Sequence, residues 1–170
     1  IVKMPFKTPN LISSDIRIPQ QIKTGSFVIR PLEVTDAKAD YEAVMESRDR
    51  IKNTFGPNHP WPPTDLTLEQ NRIDLAWHQK EHQRRDSFTY TIYDPDTETE
   101  LGCLYIQPTQ IDDYDAAVYF WTSTTADQRN LVTQITASIR RWISEDWPLE
   151  DVTYPGRDVP WEEWQTLKSN

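Results

Sequence analysis

Two histidines one helical turn apart, with a glutamate between them, are the most direct hint of chemistry in the chain: His78-Gln79-Lys80-Glu81-His82. On a helix, positions i and i+4 share a face and can ligate one metal ion while the glutamate serves as base. The segment is polar and charged, and no helix carrying a third ligand follows. Both histidines therefore read as surface side chains, and no metal is expected. Asp94-Pro95-Asp96-Thr97 has the start of a calcium loop but lacks the glycine at the sharp turn and the distal bidentate glutamate, so it reads as a hairpin turn. Cys103 stands between Gly102 and Leu104 with no cation nearby to lower its pKa, and reads as a small buried hydrophobe rather than a nucleophile.

The elements that position these residues follow from periodicity. Residues 1–22 mix Pro5, Pro9 and Pro19 with polar residues and show no period, which predicts an extended arm; residues 23–170 read as one domain. Phe27, Ile29 and Leu32 alternate with Ser26, Val28 and Arg30, which predicts a strand that ends at Pro31. Thr35 and Asp36 can cap a first helix whose face holds Ala37, Tyr41, Val44, Met45 and Arg48. The prolines of His59-Pro60-Trp61-Pro62-Pro63 exclude helix and central strand and display Trp61 on a stiff loop. A second helix follows, capped by Thr64 or Asp65, with Leu66, Ile73, Ala76 and Trp77 as its apolar face.

The period then changes to two. Phe88 to Tyr93 and Leu101 to Ile106 form a hairpin across Asp94-Pro95-Asp96, and Ala116 to Trp121 form a strand apolar on both faces, hence central. Leu131, Ile135, Ile139, Trp142 and Ile143 recur at helical spacing and define the strongest amphipathic helix, which ends before Pro148. Asp151 to Tyr154 supply a last short strand, and Trp161 and Trp164 a terminal turn that packs back.

At 170 residues the chain can bury one sizeable core, and seven Trp and seven Tyr make that core aromatic. A formal charge of −9 disfavours nucleic acid and anionic membranes and suits a cationic partner such as an amine. A lone cysteine makes no intrachain disulfide, and no stretch is apolar and long enough for a membrane span. These features predict a cytoplasmic monomer or homodimer.

The order β, α, α, β, β, β, α, β, together with Pro19-x-x-Ile22-x-Thr24, Phe27-x-Ile29-Arg30-Pro31-Leu32, Asp36-Ala37 and Val118-Tyr119-Phe120-Trp121, resembles the GNAT superfamily of N-acetyltransferases over Pro19 to Tyr154. The nearest branch is the one that acetylates protein N-terminal amines. The resemblance implies an α/β domain with a mixed, mostly antiparallel sheet flanked by helices. It also implies acetyl-CoA as cofactor and direct attack by a primary amine of a small molecule or peptide. In this family the loop after the fourth strand carries Arg or Gln, Gly, and Gly or Ala, and its backbone N–H groups cradle the pyrophosphate. Here Asp127, Asn130 and Val132 stand at those positions: a negative charge, a residue with a Cβ and a β-branched residue. The implied coenzyme path is Phe120, Trp121, Thr122, Ser123, Thr124, Thr125 and Asn130, with Trp61 and Tyr105 bordering the acceptor. Tyr154 would be the general acid and Asp115 the amine's proton relay. Thr124, Thr125 and Asp127 can equally just cap the third helix. The rival expectation is an inactive GNAT-like binding module that has lost its phosphate loop.

Overall fold

The computed structural model describes residues 10–169, so Pro5 and Pro9 of the expected arm lie outside the described residues. The strands are β1 (Ile22–Lys23), β2 (Val28–Pro31), β3 (Phe88–Asp94), β4 (Thr99–Gln107), β5 (Ala116–Thr122) and β6 (Val152–Thr153). The helices are α1 (Ala37–Ile51), α2 (Leu68–Arg84), α3 (Thr124–Gln128), α4 (Val132–Asp146) and α5 (Trp161–Ser169), and a 3-10 turn (Val34–Asp36) precedes α1. One sheet runs in the order β1-β2-β3-β4-β5-β6, antiparallel throughout except for the parallel pair β5–β6.

Alternation along the strands sends side chains to two cores. On one face Ile29, Tyr90, Ile92, Leu104, Val118 and Phe120 meet Ile135, Ile139, Trp142 and Ile143 of α4. On the other, Cys103, Tyr105 and Trp121 meet Val44 and Ile51 of α1 and Leu75 of α2. The chain before β1 packs on the first core: Ile12 and Ile18 are buried, Leu11 N donates to the Arg85 carbonyl, and Tyr90 Oη donates to the Pro19 carbonyl.

Four expectations are corrected. A two-residue strand, β1, precedes the expected first strand through a turn in which Thr24 Oγ1 accepts from Ser26 N and Phe27 N. Thr67, not Thr64 or Asp65, caps α2 by accepting from Gln70 N. The face of α2 is also reversed: Ile73 and Trp77 are 55% and 58% exposed, whereas Asn71 and Leu75 are buried. His78 and His82 continue that inner face at helical spacing, so they are not surface side chains.

Candidate functional site

Strands β5 and β6 pair only through Ala116↔Val152 and Ala117↔Thr153, so beyond Ala117 the two strands part and leave a wedge. A cleft of about 390 Å³ opens there, lined by Arg50, Tyr119 to Thr122, Pro155 to Arg157 and Trp161. The β5 carbonyls facing it are occupied. Arg157 Nη2 donates to the Phe120 carbonyl at 2.9 Å with its guanidinium over the Phe120 ring, and Arg50 Nε donates to the Thr122 carbonyl at 2.9 Å. Trp161 stacks on Tyr119 and lies against Gly156, where a Cβ would collide with its indole.

The loop after β5 is a one-turn helix, α3, joined to α4 through Asn130 in the left-handed region (φ 57°). Ser123, rather than Thr124 or Thr125, caps it by accepting from Ala126 N at 3.0 Å. Ser123 N in turn donates to the Leu101 carbonyl and Thr124 N to Ser47 Oγ. Two carboxylates stand beside the loop. Glu46 accepts from Thr125 Oγ1, and Asp127 lies 3.7 Å from Arg50.

A second cavity, about 310 Å³, lies on the α1/α2 side and brings together Trp61 and Tyr105, the pair expected around an acceptor. Phe55 forms one wall, with ring centroids 5.5 Å from Trp61 and 5.0 Å from Tyr105. Trp121 Nε1 donates to Tyr105 Oη at 2.9 Å, so the Trp121 side chain braces this cavity from below. Asp40, Asp74 and His78 supply the polar groups. Burial lowers the His78 pKa and raises that of Asp74, against the opposing pull of their mutual attraction.

Asp40, Asn71 and Glu100 are not singled out by the sequence, and His78, expected at the surface, lines this cavity instead. Asn71, Leu75, His78 and His82 do recur at helical spacing, which was the available signal for the inner face of α2. Glu100 could not be placed by alternation, because the β3–β4 register shifts between Ile92 and Tyr93 and skips Leu101. That bulge turns Leu101 to the α4 core and Glu100 to the Cys103 face.

Asp115 and Tyr154 lie apart from both cavities. Asp115 accepts from Glu150 N and Asp151 N, which lowers its pKa and fixes the chain entering β6. Tyr154 is buried beneath the Arg140 guanidinium, and burial pushes its pKa up to about 12.

No family model and no curated protein matches the sequence. Solved structures do match. A GNAT-family acetyltransferase from Bacillus anthracis aligns with a TM-score of 0.59 at 12% identity, covering 87% of this chain and 82% of its own. Ribosomal-protein-S5-alanine acetyltransferase from Vibrio fischeri aligns at 0.53 and 14%, covering 74% and 68%. The ribosomal L7/L12 α-N-protein acetyltransferase RimL, in complex with coenzyme A, aligns at 0.56 and 16%, covering 72% and 67%. This chain has the GNAT acetyltransferase fold. At these identities the likeness establishes architecture, and the residues must speak for chemistry.

In a GNAT fold the wedge and the loop after β5 are where acetyl-CoA would be tested for fit. The start of the loop here is a poor fit for the pyrophosphate. Its first amides already donate to Leu101 O, Ser47 Oγ and Ser123 Oγ, and the Glu46 and Asp127 carboxylates would face the phosphates. The Phe120 carbonyl, which the expected coenzyme path includes, is held by Arg157. Among the described residues no helix is long and apolar enough to cross a membrane.

Proposed function

We propose that the chain is a GNAT-fold module that binds a cationic amine in the cavity between Trp61, Tyr105, Asp40 and Asp74, without acetyl transfer through the family's phosphate loop. The observation that carries this reading is the start of the loop, where the Ser123, Thr124 and Ala126 amides are hydrogen-bonded to acceptors of the chain's own and the Glu46 and Asp127 carboxylates stand beside it. The cavity supports the amine, since aromatic faces attract a cation and two carboxylates compensate its charge. The overall charge of −9 acts in the same direction. A peptide with a free α-amine, titrated calorimetrically, binds, and its N-acetylated form and acetyl-CoA at millimolar concentration give no heat. Acetyl-CoA binding below about 0.1 mM, a free energy of some −5.5 kcal/mol, overturns the reading.

A second reading, acetyl transfer to the same amine, is favoured by the wedge and its two guanidiniums. Arg50 and Arg157 line the cleft and are the groups that would replace backbone amides on a pyrophosphate. In that case acetyl-CoA binds, and Arg50→Ala and Arg157→Ala each weaken it.

A further inference from the structure

Beneath the second cavity lies a buried cluster of which the proposed amine site uses only Asp40. Asp40 from α1 and Glu100 and Cys103 from β4 are 4%, 2% and 0% exposed, and one ligand atom from each falls within 4.8 Å of the others. Cys103 Sγ lies 3.2 Å from Glu100 Oε1 and 3.5 Å from Asp40 Oδ1. Asn71 Nδ2 donates to Asp40 Oδ2 at 2.8 Å, and Thr91 Oγ1 donates to Glu100 Oε1 at 2.7 Å. The remaining oxygen, Glu100 Oε2, is fully buried with no hydrogen-bond partner.

The inventory of donors falls short. A thiol has one proton and cannot serve both carboxylates, and among the described residues neither carboxylate is ion-paired to a basic side chain. Buried carboxylates without such partners either hold a proton or coordinate a cation. The spacing suits one. Zinc bonds of about 2.0 Å to oxygen and 2.3 Å to sulfur at a tetrahedral angle set an O···S edge near 3.5 Å, against 3.5 Å from Cys103 to Asp40 and 3.2 Å to Glu100.

We propose that Asp40, Glu100 and Cys103 form a site for one zinc ion, a sulfur and two oxygens providing three tetrahedral ligands. The thiol favours zinc over magnesium or calcium, which take oxygen-only ligand sets. On binding, the Cys103 proton and any proton held between the carboxyl groups are released to solvent, leaving Zn²⁺ with three anionic ligands and one net negative charge. Asp40 and Asn71 also line the cavity, so ion and water reach the cluster from there. With Asp40 on the ion, Asp74 and the residual negative charge of the site face the amine, and the site stands whether or not an amine binds above it.

The test is metal content of the full chain, expressed in zinc-supplemented medium and purified without chelator. About one zinc per chain is expected, falling at least tenfold in Cys103→Ser and Glu100→Gln, while His82→Ala keeps its zinc. Cobalt in place of zinc gives a thiolate-to-metal absorption band in the wild type that Cys103→Ser lacks. Should either variant misfold, the wild type alone decides: chelation lowers its melting temperature, and zinc but not magnesium restores it. A folded, zinc-free wild type without the cobalt band overturns the site and leaves the two carboxyl groups sharing a proton. Zinc that persists in Cys103→Ser overturns it as well.

Discussion

His78 and Gly102 show how closely single residues are tied to their surroundings. Burial lowers the His78 pKa, so the fold prefers its neutral ring. A depressed histidine stabilises the fold above its unfolded pKa of about 6.5 and loses that contribution as pH falls through the folded value. The wild type should therefore lose stability on acidification below about pH 6.5 more steeply than His78→Gln, compared by urea unfolding at several pH values. His82 is lowered by burial too, so the double variant should flatten the profile further. At Gly102 an added Cβ would collide with the Trp121 carbonyl across the β4–β5 ladder. Backbone cannot swing aside as a side chain can, so Gly102→Ala should cost on the order of 3 kcal/mol in denaturant unfolding.

Among elements, those with a pure apolar period were legible in the sequence and those with a mixed face were not. Helix α4 buries Ile135, Ile139, Trp142 and Ile143 as spacing predicted, and Ile139→Ala should cost about 2–5 kcal/mol. Ile73→Ala, on the face of α2 that was expected inside, should change stability by less than about 0.5 kcal/mol. The inner face of α2 was illegible because it is half polar: Asn71 is buried for its bond to Asp40, and the histidines face the sheet. Strand β1 is too short to carry a period, and the break between α3 and α4 rests on one residue, Asn130. Of the site, Trp61 and Tyr105 could be read from a proline-stiffened loop and a strand end, while Glu100 depended on a bulge that no alternation reveals.

On the scale of the whole molecule, the loop after β5 is held by two other elements, β4 and α1. Leu101 of β4 and Ser47 of α1 accept from the Ser123 and Thr124 amides and Glu46 of α1 from Thr125 Oγ1, so altering the loop's own sequence cannot free those two amides. The variant Asp127→Arg, Asn130→Gly, Val132→Ala should remain folded, since residue 130 already sits at positive φ, and should bind acetyl-CoA no better in calorimetry. Adding Glu46→Gln and Ser47→Ala removes a carboxylate and an acceptor from outside the loop, and only that combination should gain affinity. Improvement from the loop substitutions alone would mean the amides are freer than their partners suggest.

Cys103 gives the molecule one more property. It is the chain's one thiol and has no exposed surface, and burial beside two carboxyl groups raises its pKa. Thiolate is the form that reacts with disulfide reagents, so the folded protein is silent to them and labelling waits for the sheet to part from α1. The time course of modification is then a clock for that opening. With reagent in excess and capture faster than reclosing, its rate equals the opening rate; with dilute reagent it reports the free energy of the open form instead. A single unmodified side chain thus lets the kinetics of the interior be followed without any engineered probe.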